Sequence, residues 1–183
     1  AHLRALGGLM TMEDLAAVAP RWREPFAASY RGLTVHVPPP PCEAFQFLLS
    51  LKILEGCDLG ALAKDGPEHL DLVFRAIRLA AGVRIAANNP SPDRLAAIFT
   101  EDALAALRRR LTDGAPVEGP TEQWTPQQGE DPSHTTSFSA ADAEGNLVCI
   151  TNSLGSPFGS GIVVPGTGVC LNNFLYWSDV QTG

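Results

Sequence analysis

No run of apolar residues in this sequence approaches the roughly 20 needed to cross a bilayer as a helix, so no membrane-spanning segment is read from it. There is no C-x-x-C pair and no His/Cys cluster at zinc-ligand spacing, and no metal site is expected. The four cysteines, Cys42, Cys57, Cys149 and Cys170, are scattered and read as buried small hydrophobes, while a disulfide and the redox compartment stay open. Positive charge is scarce, with 13 Lys and Arg against 20 Asp and Glu. The net charge of -7 gives no basis for binding nucleic acid or an anionic membrane surface. The only basic run, Arg108-Arg109-Arg110, reads as the solvated C-terminal end of a helix, where the dipole favours cations. No internal repeat is present.

What is there suffices for one domain with a sizeable core: 183 residues, 45% of them hydrophobic. The start, Ala1-His2-Leu3-Arg4, resembles neither a signal peptide nor an initiator methionine, and Val180-Gln181-Thr182-Gly183 carries no helix stop. The chain is therefore expected to be a piece of a longer protein. Thr11 reads as the N-cap of a short helix, with Glu13 and Asp14 in its first turn and Pro20 ending it. Leu33 to Val37 alternates like a strand, and Pro38 to Pro41 must be an extended linker or turn. Glu43 to Leu54 is expected to be helical through Phe45, Leu48, Leu49 and Ile53. A longer helix opens at Gly66-Pro67 with Leu70, Val73, Phe74, Ile77 and Ala81 as its apolar stripe. A third is capped by Thr100 and runs through Leu104, Leu107 and Leu111.

The character changes at Asp113. Residues 114 to 133 hold Pro116, Pro120, Pro126 and Pro132 with Gly114, Gly119 and Gly129, and read as a long flexible connector. After it come two strands, Thr135 to Ala141 and Leu147 to Ser153, joined by a turn in which Gly145 and Asn146 supply positive φ. Ile162 to Val164 and Val169 to Leu171 flank Pro165-Gly166-Thr167-Gly168 as a second hairpin. The division is thus a mainly helical region over 1–112, a connector over 113–134 and strands over 135–183. Helices followed by strands favour the α+β class over a parallel βαβ sheet.

The chemistry centres on Thr135, which lies where the connector ends and a strand begins. A threonine hydroxyl is a weak nucleophile until a base takes its proton, and a free α-amino group on the same residue can be that base. Such an amine titrates at about 7.7–8.0, near working pH. Obtaining it requires a cut between His134 and Thr135. Taken alone, Thr135 and Thr136 are equally well read as ordinary β-branched strand residues.

Longer stretches narrow this. His134-Thr135-Thr136-Ser137-Phe138-Ser139, Asp142-Ala143-Glu144-Gly145-Asn146, Ser156 to Gly168 and Leu171-Asn172-Asn173 resemble the start of the small subunit of gamma-glutamyltranspeptidases. Upstream, Trp22-Arg23-Glu24-Pro25, Tyr30-Arg31-Gly32, the Pro38-Pro39-Pro40 run and Ile53-Leu54-Glu55-Gly56 resemble the end of that family's large subunit. The resemblance implies part of an αββα N-terminal-nucleophile hydrolase sandwich, formed from an inactive precursor that cuts itself before a threonine. It implies Thr135 as nucleophile, Ser153 as the hydroxyl supporting its amine, Gly155, Asn173, Phe174, Trp177 and Asp179 as substrate-binding positions, and an acyl-enzyme passed to water or an amine. It calls for no cofactor, pairs large and small subunits from one precursor, and fits a periplasmic or secreted location. The small-molecule partner it implies is a γ-glutamyl or other acyl amide.

Departures from the family pattern bear on substrate choice. Ser137 stands where a histidine is usual, and Gly155 where a substrate-binding asparagine is usual. After Asn173, Phe174 and Trp177 replace a glutamine and the aspartate that grips the substrate's α-amino group, and Asp179 could take that role only after a two-residue shift. Pro41-Cys42-Glu43-Ala44 replaces small serines and glycines. Phe174, Tyr176 and Trp177 fit an apolar acyl pocket, as in the family's acylase-like branch, or plain core packing. The resemblance places the arginine that holds the substrate carboxylate upstream of the region covered here, and the oxyanion donors downstream. An amidohydrolase or acyltransferase is the leading expectation. A non-catalytic relative with a structural or binding role is the alternative.

Overall fold

Prolines and short polar side chains mark where the helices begin. The computed structural model describes residues 2–117 and 135–174. The chain divides into two units, Pro20–Gln123 and Ala1–Ala19 with Trp124–Gly183. Helix α1 (His2–Ala5) and helix α2 (Met12–Ala16) are short and bury none of their residues. The expected N-cap, Thr11, forms a capping box: its Oγ1 accepts from Asp14 N at 3.1 Å, and its own N–H donates to Asp14 Oδ2 at 2.8 Å.

In Pro20–Gln123, strand β1 (Phe26–Tyr30) pairs antiparallel with β2 (Leu33–Val37). Only β2 was legible as a strand, because Ala27, Ala28 and Ser29 have weak strand preference. The turn between them is Arg31-Gly32, with φ of 48° and 84°, the conformation that suits a two-residue hairpin. Arg31 is not glycine, and hydrogen bonds hold it there. Its N–H donates to Glu55 Oε1 at 2.8 Å and its guanidinium to the Cys57 carbonyl at 3.0 Å. Glu55 also pairs with Lys52, whose Nζ donates to the Ser29 carbonyl at 3.0 Å.

Helix α3 (Phe45–Leu54) buries Phe45, Leu48, Leu49 and Ile53, the face expected from their spacing. Helix α4 (Pro67–Ala87) starts as expected, with Gly66 as N-cap and Pro67 in the first turn. Its buried face differs from the expected stripe. Ala76, Leu79, Ala80 and Ala87 are buried, Val73 and Ala81 are half-buried, and Leu70, Phe74 and Ile77 are exposed. Alanines permit close helix approach, so this helix packs through its small residues rather than its largest ones. Val73 and Ile77, with Phe47 of α3, line an open cavity of about 460 Å³.

Helix α5 (Pro92–Ile98) was not anticipated, although Ser91 caps it by accepting from Arg94 N at 3.3 Å and Pro92 occupies its first turn. Helix α6 (Glu101–Thr112) follows, capped by Thr100 as expected. Leu104, Leu107 and Leu111 of α6 join Leu49, Ile53, Leu54, Ala76, Leu79 and Ala80 in one core.

Two arginines tie the helices end to side. Arg108 is half-buried rather than solvated: its Nη2 and Nε donate to the Lys52 carbonyl at 2.9 and 3.3 Å, and it pairs with Glu101 at 2.6 Å. Arg75 donates to the Leu111 and Arg110 carbonyls at 3.0 and 3.2 Å. Carbonyls in the last turn of a helix have no partner within it, and these side chains supply one. Arg109 and Arg110 are exposed, as the basic run suggested.

In the other unit, β3 (Thr135–Ala141) and β4 (Leu147–Ser153) form the expected antiparallel hairpin. The second hairpin reduces to one bridge, Val163 with Cys170, flanked by bonds from Leu171 N to the Ile162 carbonyl and from Val164 N to the Val169 carbonyl, each 2.9 Å. The mixture of helices with antiparallel strands agrees with the α+β reading. The expectation of buried cysteines is corrected. Cys42 and Cys149 are exposed and Cys57 and Cys170 half-buried, all four as free thiols, because the proline turn at Cys42, the two-stranded ribbon at Cys149, the end of α3 at Cys57 and the short bridge at Cys170 cover them only in part. Among the described residues no helix is long and apolar enough to cross a membrane. Most of the expected connector, residues 118–134, lies outside the described residues.

Candidate active site

The β3–β4 register determines what surrounds Thr135. Pairing runs from Thr135 opposite Ser153 to Ala141 opposite Leu147. Side chains alternate between faces along a strand, and directly opposed residues touch. One face therefore carries a ladder of small polar side chains. Thr135 Oγ1 donates to Ser153 Oγ at 3.1 Å, Ser137 Oγ and Thr151 Oγ1 are 3.2 Å apart, and Ser139 Oγ donates to Cys149 Sγ at 3.2 Å. The other face is apolar over Phe138 opposite Ile150 and Ala140 opposite Val148, with the polar pair Thr136 and Asn152 at its open end. Thr136 lies on that second face, away from Ser153. Sequence reasoning singled out Thr135 and Ser153 but missed the ladder, although the period-two hydroxyls at 135, 137 and 139 signalled it.

At the far end of the ribbon, the turn is closed by Asp142. Its carboxylate accepts from Asn146 Nδ2 at 2.7 Å, Asn146 N at 2.9 Å and Glu144 N at 3.0 Å. These bonds, the Asn146 side chain foremost, lower the Asp142 pKa below its ordinary 3.8. Gly145 takes φ of 87°, as expected, but Asn146 does not share the positive φ expected of it; its N–H and side chain are both held by the Asp142 carboxylate.

Beyond β4 the chain folds back beside Ser153. Gly155 N donates to Ser153 Oγ at 3.2 Å, so this oxygen accepts two hydrogen bonds, one from the loop and one from Thr135. A hydroxyl has two acceptor lone pairs and one proton. With both lone pairs engaged, the Ser153 proton is the group left to aim at a further acceptor. Gly155 is buried with φ of 95°. Asn173 Oδ1 accepts from Ser156 N at 3.0 Å, and its Nδ2 donates to Ser156 Oγ at 2.9 Å. Phe174 is half-buried, with its N–H donating to Asn172 Oδ1 at 3.2 Å. A Cβ placed on Gly155 would lie 3.6 Å from the Phe174 ring.

The structure thus brings together Thr135, Ser153, Gly155, Asn173 and Phe174. His134, Tyr176, Trp177 and Asp179 lie outside the described residues. Among the described residues no group of three or more His, Cys, Asp or Glu is placed to hold a metal ion. The chemistry available here is that of hydroxyls: Thr135 and Ser153 in contact, and a loop whose backbone holds the second.

An acylase ACY 1 proenzyme from Pseudomonas sp. strain SE83 is 33% identical over 100% of this chain, which spans 33% of that protein. A glutathione hydrolase proenzyme from Pseudomonas aeruginosa is 33% identical over 91% of the chain and 30% of the relative. The chain thus spans about a third of the length of these curated relatives. A crystal structure of Helicobacter pylori gamma-glutamyltranspeptidase matches with a TM-score of 0.45 and 26% identity, over 63% of this chain and 33% of that one. The sequence model described as Gamma-glutamyltranspeptidase matches residues 1–178, nearly the whole length. The chain belongs to the gamma-glutamyltranspeptidase family.

Proposed function

We propose that the protein containing this chain is an N-terminal-nucleophile amidohydrolase or acyltransferase. It cuts itself between His134 and Thr135 and then uses Thr135 as its nucleophile. The observation that carries this reading is the 3.1 Å contact between Thr135 Oγ1 and Ser153 Oγ at the first residue of β3. In the mature form Thr135 Oγ1 attacks the amide carbonyl carbon while the new α-amine takes its proton. The C–N bond breaks, that proton passes to the leaving amine, and an ester to Thr135 remains. Water or an acceptor amine then attacks the ester carbonyl carbon and gives up a proton to the α-amine; the ester C–O bond breaks, that proton passes to Oγ1, and the acyl group leaves on the attacking water or amine. Ser153 fixes the nucleophile's rotamer and relays the nucleophile's proton, receiving it from Thr135 Oγ1 as its own passes to the amine. Residues 1–134 and 135–183 contribute to the large and small subunits of an αββα sandwich, whose other active-site groups lie in the rest of the protein.

The names of the relatives, acylase and glutathione hydrolase, bracket the substrate class. Trp177 stands where a carboxylate would grip an α-ammonium, and an indole offers only apolar area and weak cation–π attraction. Acyl groups without an α-amine are therefore the preferred substrates, with Phe174, Tyr176 and Trp177 as the apolar side of the acyl pocket. Mass spectrometry of the parent protein quenched during turnover of a slow acyl amide tests the mechanism. An acyl adduct on the peptide that begins at Thr135 supports it. Turnover that persists in a Thr135→Ala variant overturns it.

A further inference from the structure

Resting on the N-terminal threonine reading above, we infer that Asn173 is a positioning residue for Ser153, and that Asn173 and Gly155 form a matched pair rather than two substrate ligands. The side chain of Asn173 is already committed. Its Oδ1 accepts from Ser156 N at 3.0 Å and its Nδ2 donates to Ser156 Oγ at 2.9 Å. Its main-chain N–H donates to the Leu154 carbonyl at 3.0 Å. Three bonds from one residue thus clamp both sides of Gly155. The clamped residue in turn donates its N–H to Ser153 Oγ, and Ser153 Oγ receives the Thr135 hydroxyl. The line of contact runs from Asn173 through the 154–156 turn to Ser153 and then to the nucleophile.

Gly155 is the residue this clamp requires. Its φ of 95° is in the region that side chains disfavour. A Cβ there would lie 2.2 Å from Asn173 Oδ1, far inside contact distance. The carboxamide of Asn173 fills the space that a side chain at 155 would occupy. This loop therefore presents backbone alone at position 155, with its N–H already donated to Ser153. It offers no amide side chain at that position with which to read the head group of an amino-acid substrate, in keeping with acyl groups that lack one.

The test uses the full-length protein with Asn173→Ala, Asn173→Asp and Ser153→Ala. Aspartate keeps an acceptor for Ser156 N, and Ser156 Oγ can turn to donate to it. Asn173→Ala is expected to lower kcat about tenfold or more, the scale of one lost hydrogen bond, with KM changed less than about twofold for substrates with and without an α-amine. Asn173→Asp is expected to recover most of that loss. In a Ser153→Ala background the Asn173→Ala change is expected to cost little more, because the group it positions is gone. A rise in KM that depends on the substrate's head group, with additive effects on kcat, would show Asn173 to be a substrate ligand and overturn the inference. Hydrogen exchange at the Gly155 amide reads the clamp without any turnover. Asn173→Ala should speed it about tenfold or more. An unchanged rate overturns the clamp, whereas faster exchange in a protein with no Thr135-dependent activity would keep the clamp and overturn the mechanism.

Discussion

Thr135 and Ser153 are paired across the open end of the β3–β4 ribbon, their hydroxyl oxygens 3.1 Å apart. The pairing follows from register: a slip of one residue would bring Thr136 onto the polar face and turn Thr135 to the apolar one. The Phe138–Ile150 pair on the opposite face resists such a slip, since it would move both side chains among hydroxyls.

Ser153→Ala in the full-length protein removes the acceptor of the Thr135 hydroxyl and of Gly155 N. A loss of about 1.5–3 kcal/mol of transition-state stabilisation is expected, or about tenfold to a hundredfold in kcat. Ser153→Thr keeps the hydroxyl and should retain most of the activity. Steady-state kinetics on one chromogenic amide would decide, and equal losses for the two variants would contradict the role given to the hydroxyl.

Helix-end bonding predicts a contrast among neighbouring arginines. Arg108→Ala strips the Lys52 carbonyl of its side-chain donor and should cost about 1–3 kcal/mol. Arg109→Ala, at an exposed position, should change stability by less than about 0.5 kcal/mol. Urea denaturation of both variants separates them, and similar midpoints would remove Arg108 from the account.

Acid sensitivity of the ribbon turn follows from Asp142. Its pKa is lowered by bonds made only when the turn is formed. A lowered folded-state pKa means the stabilisation is fully present above the unfolded value and is lost as pH falls through the folded one. The turn should hold at pH 4 and loosen only below the ordinary carboxylate range. Carbon-13 NMR of the Asp142 carboxyl should give a midpoint below 3.8. A midpoint at or above that value would contradict the hydrogen bonding described.

The proposed preference for acyl groups without an α-amine rests on Trp177 standing in the sequence where the family's carboxylate is usual. Removing one partner of a buried ion pair costs about 3–5 kcal/mol, or about two to three decades in rate. Specificity constants for γ-glutamyl and glutaryl anilides should therefore favour glutaryl. A strong γ-glutamyl preference abolished by Asp179→Ala would show that Asp179 supplies the missing carboxylate.

Much of this was legible in the sequence where a local rule suffices. Thr11, Thr100 and Gly66-Pro67 marked helix starts, and the Asp142 to Asn146 turn marked the hairpin. Thr135 and Ser153 were legible through resemblance, and their opposition follows from the length of that hairpin. What was not legible depended on distant partners. The buried face of α4 is set by which small residues α3 and α6 approach, and β1 is a strand only because β2 pairs with it. The use of Asn173 was missed because the side-chain bonds to Ser156 close across a long loop, and family likeness had suggested a substrate ligand instead.

The central claim is that a cut before Thr135 creates the nucleophile. Intact-mass analysis and N-terminal sequencing of the purified full-length protein test it most directly. The account predicts two fragments, the second beginning Thr135-Thr136-Ser137. Thr135→Ala should leave one uncut chain, and Thr136→Ala, on the other face of the ribbon, should still allow cleavage. A wild-type protein that remains a single chain after long incubation at neutral pH, yet hydrolyses amides, would contradict the account.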